Sequence, residues 1–486
     1  MQGKKKYQEK MFISFQLSSR VSEDNMYRRL KDALDLHWLY KATSKYYGNE
    51  GQQSIDPVVF FKLILIGYLE NLQSDRKIIS TVSLRLDMLY FIGYDLDEQL
   101  PWHSTLSRTR QLYSEEVFKD LFKQVLKQCI EKGMVAGSRQ AVDSVLVKAN
   151  ASMDSLAEKQ ILEDADAYAD RLKLIDEEIK SEPHRPLTIN EKKVSKTDPD
   201  ARLRTKPGKP TQLNYLAQVS VDVGSHVITS IEAHHASKND CECLAEVVSN
   251  AKQNLEAGGL IIEEIIADTA YSSGEALKYL EENKLIGYIP NMASYKAERE
   301  GFTYDRNNDQ YICSQGAKLP FKGIIRHEKD LYKKEYRASV TACRNCPLKL
   351  QCVGKTGHKR ITDSISKPLY DRMHKRMMSS KGKGMMKLRS CTVEPVLGTL
   401  VNFLGMKKVN TLGIKQANKC VVMAALAYNL KKLLKHKGPA VKVMANIIEK
   451  VLQIPSQMLF QLLSELRNHN SSYISIQLKH NCRNSI

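Results

Sequence analysis

An aspartate inside an apolar run is the feature that most restricts how this 486-residue chain can fold. The run from Gln140 to Ser152 has the residue types and spacing of a buried β-strand, yet Asp143 lies within it. Strands are depleted in aspartate, and an unpaired buried carboxylate is costly. Asp143 therefore needs a salt bridge, a turn or a bound metal ion.

Two further carboxylates lie at the edges of apolar segments far away in the sequence. Asp268 follows the strand-like run 260–267, and Glu394 opens an apolar segment. We predict that Glu394 begins a helix, with Pro395 in its first turn. Any one of these acids, taken alone, is more commonly structural. Because hard divalent cations prefer carboxylate ligands on rigid elements, the three acids together predict a divalent-metal site that the fold assembles.

Charge favours a polyanionic partner. The net charge is +19, from 74 Lys+Arg and 55 Asp+Glu, so nucleic acid is the first candidate and a basic enzyme with another substrate is the alternative. The basic N-terminus has no apolar signal segment, and the apolar run 58–69 is too short to cross a bilayer. We expect a cytoplasmic protein without membrane contact, whose ten cysteines are reduced thiols or metal ligands.

The first 135 residues have helical patterns. Asp56 and Pro57 form a helix start, a buried helix follows to Leu69, and residues 75–90 have helical spacing. A short helix beginning at Ser104 shows hydroxyls and arginines on its early turns, as helices that contact DNA do. A capped surface helix in an all-α bundle is the alternative. The side chains predicted to contact DNA in this helix are Ser104, Thr105, Arg108 and Arg110.

The middle of the chain predicts a mixed sheet covered by helices. After the Asp143 strand comes a charged helical segment, 152–183, and a polar stretch, 184–210, that we predict to be a loop outside the core. Hairpins first and crossovers later indicate a mixed sheet, and an aspartate on its first and fourth strands is the pattern of a ribonuclease H-like nuclease core. The elements predicted next are strands 215–223 and 227–233, helix 239–255, the strand ending at Asp268, helix 274–282 and strand 285–289.

A cluster of cysteines lies in the segment that interrupts this core. Four thiols are the ligand count of a tetrahedral structural zinc site, which leaves no open position for chemistry. The last spacing has five intervening residues and departs from the standard two-knuckle pattern, so unliganded thiols remain the alternative. The predicted zinc ligands are Cys313, Cys343, Cys346 and Cys352.

These patterns predict an α+β protein in which a helical N-terminal DNA-binding domain precedes the catalytic core and a cysteine-containing insertion precedes the final acidic helix. The predicted segments are the helical domain 1–135, the first part of the core 136–292 with an excursion at 153–212, the insertion 293–384, the core helices 385–437 carrying Glu394, and a basic tail 438–486.

Several sequence blocks resemble those of DDE transposases from bacterial insertion sequences. The blocks around the three acids are 141–144 with 148–152, 267–271 and 393–398. One branch of that group is also resembled by the block 195–202, the cysteine cluster, the block 426–430 and the helical N-terminal domain. The resemblance implies an enzyme that binds double-stranded DNA, at the element ends and the target, as a homodimer near the bacterial nucleoid. It also implies that Asp143, Asp268 and Glu394 hold Mg²⁺ or Mn²⁺. Hydrolysis of a phosphodiester would free a 3′ hydroxyl, which would then attack the target.

The chain departs from many relatives around Glu394. Where they carry Tyr, Arg and Lys, this sequence has Lys387, Ser390 and Val401. Arg389 lies one residue away from the expected arginine, and we predict that it contacts a DNA phosphate. A nuclease without strand transfer would not need the N-terminal domain. A DNA-binding regulator with an inactive core would have lost an acid, and none is lost.

Overall fold

Asp143 lies on a central strand of a six-stranded mixed sheet in the computed structural model of this protein. The structure describes residues 5, 14–48, 50, 54–158, 188–205, 208, 210–326 and 332–436. Most of the charged helix predicted at 152–183, and the basic tail predicted at 438–486, lie outside the described residues.

The part of the chain before this sheet is helical, as the sequence predicts. Asp56 caps the central helix by accepting hydrogen bonds from the backbone N–H groups of Val58 (2.6 Å) and Val59 (3.1 Å). The helical spacing at 75–90 belongs to two helices, because the chain leaves the helical path at Ser83–Arg85. The helices described here are α1 Leu17–Arg20, α2 Met26–Ala33, α3 Trp38–Thr43, α4 Pro57–Leu69, α5 Asp75–Val82, α6 Leu86–Ile92, α7 His103–Leu112 and α8 Glu115–Glu131.

The central sheet has the predicted hairpin followed by crossovers. Its elements, with the small pair β2 and β3, are β1 Arg139–Lys148, β2 Leu156–Glu158, α9 Ile189–Lys192, β3 Lys193–Ser195, β4 Arg202–Arg204, β5 Gln212–Asp222, β6 Ile228–His235, α10 Asp240–Glu256, β7 Glu264–Ile266, α11 Gly274–Glu282 and β8 Ile286–Tyr288. The order is β6-β5-β1-β7-β8, and β4 pairs with the start of β5. The pairs β6–β5 and β5–β1 are antiparallel, whereas β1–β7 and β7–β8 are parallel. This order is that of a ribonuclease H-like core.

The prediction that residues 184–210 form a loop outside the core is wrong. Ala201 and Leu203 are buried in the main core, and the segment contains β3 and β4. Its polar residues are satisfied internally. Asp198 is fully buried and accepts hydrogen bonds from the Tyr215 hydroxyl at 2.7 Å and from the backbone N–H of Gly413 at 3.1 Å. Composition alone cannot distinguish such a segment from a solvated loop.

A second, antiparallel sheet follows in the chain. Its strand order, β13-β12-β11-β10-β9, is a simple meander, and it encloses a small hydrophobic cluster of its own. The elements of this region are β9 Phe302–Asp305, β10 Gln310–Cys313, β11 Lys318–Arg326, β12 Tyr332–Arg337, α12 Val340–Arg344, α13 Lys349–Cys352 and β13 Arg360–Ser364.

Three helices complete the described chain: α14 Lys367–Met378, α15 Ser380–Phe403 and α16 Ile414–Lys435. The prediction that Glu394 begins a helix is wrong, because α15 starts at Ser380 and carries Pro395 in its interior. A proline there removes one backbone donor and frees the carbonyl of Cys391. Cys391 and Pro395 are both exposed, so water can satisfy that carbonyl.

Helix α16 lies along the edge strand β6 and satisfies its backbone. The side-chain amide of Asn429 accepts from the N–H of Ile228 and donates to its carbonyl, both at 2.9 Å. The Asn418 side-chain oxygen accepts from the N–H of Ala233 at 3.1 Å. An unpaired edge strand exposes such groups, and these asparagines cover them from inside the core. Asn429, in the block 426–430, therefore satisfies backbone groups at the edge of the sheet.

Candidate active site

Asp143 and Asp268 lie at the same level on neighbouring elements of the central sheet. Strands β1 and β7 run parallel, with Arg139 opposite Glu264 and Ala141 opposite Ile266. The same offset, carried past the end of β7, places Asp143 opposite Asp268. Adjacent strands lie about 4.8 Å apart, so this register brings the two carboxylates to one place on the sheet.

The Asp143 carboxylate is held from two sides. Its Oδ1 accepts from the backbone N–H of Ser144 at 2.7 Å, and its Oδ2 accepts from Nη1 of Arg389 on α15 at 2.8 Å. Burial raises the pKa of Asp143, the Ser144 and Arg389 contacts oppose that shift, and the nearby charge of Asp268 adds to it. Two carboxylates in a partly buried site repel one another, and a bound cation relieves that repulsion.

Asp268 begins a short 3₁₀ turn, Thr269–Tyr271, and its Oδ1 accepts from the N–H of Ala270 at 3.0 Å. Tyr271 is fully buried behind the acids and donates its hydroxyl to Gln218 on β5. Burial, with the charges of Asp240, Asp143 and Asp268, raises the pKa of Tyr271 well above its usual value. This neutral tyrosine fixes the turn that carries Asp268.

Glu394 lies on the same helix as Arg389 but does not point the same way. Five residues along an α-helix correspond to about 7.5 Å of rise and about 140° of rotation. Accordingly, Arg389 reaches Asp143 while Glu394 is exposed. The carboxylate oxygens of the three acids do not all lie within 4.8 Å of one another, whereas among the described residues the ligand atoms of Glu232, His234 and Glu246 do. The structure therefore brings Asp143 and Asp268 together and leaves Glu394 on the outer side of α15.

The residues predicted to contact DNA on α7 divide between two faces. Ser104 and Arg108 are exposed, and Thr105 is half-buried. Arg110 is buried and forms two hydrogen bonds to Asp75, at 3.0 and 2.5 Å. Because Arg108 and Arg110 are two positions apart, they point to opposite sides of the helix. The prediction for Arg110 is corrected here, since its guanidinium joins α7 to α5 and is not available to DNA.

Three lysines meet at the far end of β1, and sequence reasoning did not single out this group. The N–H of Lys148 donates to the carbonyl of Lys407 at 3.2 Å, and the N–H of Val409 donates to the carbonyl of Lys148 at 3.0 Å. The side chains of Lys148, Lys407 and Lys408 are all exposed. Their separation in sequence gave no signal, because only this pairing brings residues 407–409 beside β1.

The four predicted zinc ligands line one cavity of about 250 Å³ in the second sheet. Cys343 is buried, and the other three cysteines are half-buried. All four are free thiols, and no three of their sulfur atoms lie within 4.8 Å of one another. The fold thus brings Cys313 to the three cysteines near α12 and α13, in a looser arrangement than a closed metal site.

Comparison with known proteins gives two domain matches. Residues 15–112 match the Transposase domain (DUF772), and residues 312–434 match the Transposase DDE domain. No curated protein sequence matches the chain. None of the described helices is both long and apolar enough to cross a membrane.

Solved structures give only weak likenesses. The piggyBac transposase synaptic complex with hairpin DNA is 11% identical, covering 90% of this chain and 84% of that one, with a TM-score of 0.32. The Mos1 transposase paired-end complex with the left transposon end is 10% identical, covering 54% of this chain and 67% of that one, with a TM-score of 0.16. Scores this low establish no common fold, so the assignment rests on the two domain matches and on the sheet itself.

The strand order of the central sheet, with Asp143 on β1 aligned with Asp268 just after β7, is that of a ribonuclease H-like core. With a transposase domain before that sheet and a transposase DDE domain extending to the end of α16, the chain is a DDE transposase. Enzymes of this class use divalent metal ions, and carboxylate oxygens are suitable donors for them.

Proposed function

We propose that this transposase cleaves DNA at the ends of a bacterial insertion sequence and joins the freed ends to a target, using Asp143, Asp268 and Glu394 as ligands for Mg²⁺. The observation that carries the proposal is the parallel register of β1 and β7, which aligns Asp143 with Asp268. Such ions, when bound, stabilise the attacking and leaving oxygens of a phosphoryl transfer. Mn²⁺ offers the same coordination chemistry.

The site is already arranged to receive positive charge. The Arg389 guanidinium neutralises Asp143 at 2.8 Å, while the Ser144 N–H fixes the other carboxylate oxygen. With its charge on Asp143 replaced by that of a cation, Arg389 would be free to bind a phosphate oxygen, which suits its planar, bidentate donor geometry. Arg389 would then hold the DNA strand beside the carboxylates, in the role proposed for it from the sequence.

Glu394 supplies the third carboxylate from α15. It is the only acidic residue of that helix, which packs on β1 and in which Val393 and Val396 are buried. Its side chain lies outside the Asp143–Asp268 pair in this structure. We therefore propose that Glu394 joins the site when DNA and metal bind, by a change of side-chain rotamer and a small rotation of α15.

The basic and hydroxyl side chains outside the acids give the DNA path. Lys148, Lys407 and Lys408 form an exposed group at the end of β1, where they would contact phosphates. Ser104, Thr105 and Arg108 on α7 would contact the element end. Two ends must be held together in transposition, so we propose a homodimer on double-stranded DNA, acting in the bacterial cytoplasm beside the nucleoid.

A structural Zn²⁺ in the cysteine cavity is a separate proposal. Its support is that Cys313, Cys343, Cys346 and Cys352 line one cavity although β10 and α12 are about thirty residues apart in sequence. Metal analysis of the purified protein should find one zinc per chain, and Cys343→Ser should remove it. Cys241→Ser, on α10, is the matched control and should retain zinc. A folded, zinc-free wild type would refute the site.

The main test is a cleavage and joining assay on duplexes from the two DNA ends that flank the gene. We expect Mg²⁺-dependent nicking at the ends and joining to a second DNA by the wild type, and neither by Asp268→Asn. Glu263→Gln, an exposed acid just before β7, is the control and should act as the wild type does.

The outcomes separate the competing functions. Nicking without joining, under conditions that release a 3′ hydroxyl, would indicate a nuclease and would contradict the strand-transfer step. Binding of the ends without cleavage by the wild type would indicate a regulator and would overturn the catalytic assignment of all three acids.

A further inference from the structure

A cavity of about 340 Å³ lies between the second sheet and α14, outside the acid site. One wall is formed by Tyr304, Lys334 and Tyr336 of the second sheet, and the facing wall by α14. The lining includes five basic residues and two acidic ones, which gives a clear excess of positive charge. The basic residues are Arg306, Lys334, Lys367, Arg372 and Lys375, and the acidic ones are Asp363 and Asp371.

The acids of this cavity are neutralised from within. Asp363 pairs with Arg299 at 2.5 Å and accepts the hydroxyl of Tyr311. Asp371 pairs with Lys367 at 3.0 Å and accepts the hydroxyl of Tyr295. Their negative charge is therefore already compensated and does not cancel the remaining cations.

Two of the cations have no partner among the residues that the structure describes. Lys334 pairs with Asp309 at 3.1 Å, and Arg372 pairs with Glu281 at 2.6 Å. Arg306 and Lys375, in contrast, are exposed and form no ion pair or hydrogen bond with the part of the chain that the structure describes. They come from different elements, the turn after β9 and the last half of α14, and meet at one cavity. Convergent, unpaired cations beside an aromatic ring suit a polyanion better than a small neutral ligand.

The cavity is joined to the acid site through the start of α14. Ser366, directly before α14, contacts Gly274 so closely that a β-carbon on Gly274 would lie 2.2 Å from its hydroxyl oxygen. Gly274 opens α11, six residues after Asp268. Lys367 and Pro368 of the cavity follow Ser366 directly. This contact places the start of α14, and with it one end of the cavity, beside the helix that follows Asp268.

We propose that this cavity binds the phosphate backbone of a DNA strand beside the reacting phosphodiester, with Arg306 and Lys375 contacting phosphate oxygens and Tyr304 lying against a sugar or base. This proposal rests on the proposed function, because it assigns a second DNA contact to the same enzyme. The strand could belong to the element end or to the target, which present the same phosphate chemistry.

The test compares two double variants by DNA binding, both made in the Asp268→Asn background so that cleavage plays no part. Arg306→Ala/Lys375→Ala removes the two free cations of the cavity. Lys318→Ala/Lys322→Ala, on exposed positions of β11 outside the cavity, makes the same change of charge. Fluorescence anisotropy would use a labelled element-end duplex and an unrelated duplex of equal length, over a range of salt. Circular dichroism and thermal melting would confirm that both proteins fold as the parent does.

We expect the cavity variant to bind about tenfold more weakly near 0.1 M salt, and the slope of log affinity against log salt to fall by about 2. The control should retain the parent affinity and slope. If the cavity variant loses affinity only for the element-end duplex, the cavity binds that strand. If it loses affinity equally for both duplexes, the cavity makes backbone contacts with any strand. Parent-like binding by the cavity variant, or an equal loss in the control, would overturn the proposal. DNA binding is measured without cleavage. A wild type that fails to cleave would therefore refute the proposed function, and the binding comparison could still be interpreted.

Discussion

The central sheet and the second sheet have similar numbers of strands but are stabilised in different ways. The central sheet lies in one hydrophobic core that continues from the N-terminal helices to α16. The second sheet encloses a cluster of only six buried residues: Tyr311, Leu319, Tyr336, Ala338, Cys343 and Ile361. Phe321 and Ile324, on its strand β11, remain exposed.

The second sheet compensates with polar links between its strands. The hydroxyls of Tyr304 and Tyr336 donate to Asp309 at 2.6 and 2.7 Å, and Arg360 pairs with Glu335 at 2.5 Å. A catalytic pair of acids needs a support fixed to within about 0.5 Å, which dense packing provides. The second sheet carries none of the three acids and has fewer apolar contacts. We therefore expect changes in the central sheet to alter activity or global stability, and changes in the second sheet to act locally.

The largest expected effect is that of Asp143→Asn, which should lower cleavage about a thousandfold or more, because metal-assisted charge stabilisation contributes several kcal/mol. Burial raises the pKa of Asp143. A carboxyl group whose pKa is higher in the folded protein than in the unfolded chain stabilises the fold at pH values below the unfolded-state pKa. This contribution is lost as the pH rises through the folded-state pKa, so the ionised group is unfavourable at pH 7. Thermal melting at pH 7 should therefore show no loss of stability. Metal titration should raise the melting temperature of the wild type only; a metal-induced increase in the variant would contradict the assignment.

Asn429→Ala should produce the next largest effect, a global destabilisation of about 2–4 kcal/mol. It leaves the buried N–H and carbonyl of Ile228 without partners, and each unsatisfied group costs about 1–3 kcal/mol. Urea unfolding followed by circular dichroism measures it. Asn402→Ala, at an exposed position of α15, should remain near the wild-type value. Equal midpoints for the two variants would show that the edge of β6 does not depend on α16.

Tyr311→Phe should lower the free energy of unfolding by about 1–2 kcal/mol, because it removes the buried hydroxyl that donates a hydrogen bond to Asp363. The effect should be local. Hydrogen exchange should become faster in the second sheet, residues 302–364, and stay unchanged in β1 and β5. Tyr332→Phe, at an exposed site on β12, is the matched control. Faster exchange throughout both sheets would mean that they unfold as one unit and would remove the contrast between them.

The smallest effect concerns acid stability of the central sheet. Burial tends to raise the pKa of Glu264, but hydrogen bonds from Lys381 and Arg139 outweigh it and lower the pKa below its usual value. A carboxyl group whose pKa is lower in the folded protein than in the unfolded chain stabilises the fold at pH values above the unfolded-state pKa. This contribution is lost as the pH falls through the folded-state pKa. Glu264→Gln should therefore be less stable than the wild type at pH 6, and the two should converge toward pH 3 in chemical denaturation. A difference that is constant with pH would exclude this ionisation as the cause.

The sequence was sufficient where the signal is local. Asp56 and Pro57 predicted α4, and two strand-like runs separated by a short turn predicted the β5–β6 hairpin. The class of enzyme came from the resemblance of several sequence blocks to DDE transposases, and the two domain matches agree with it. Caps, strand periodicity and the cost of a buried carboxylate depend on residues close in the chain. The fold class follows from such features.

Tertiary structure decided what depends on the direction of side chains and on distant partners. It showed that Arg110 is bound to Asp75, that Glu394 lies in the middle of a long helix, and that Ala201 and Leu203 of the supposed loop belong to the core. The sequence determined which residue types the chain offers for metal and DNA. Only packing decided which of them meet, because a helix rotates each side chain by about 100° per residue and a neighbouring strand or helix arrives from a hundred or more positions away.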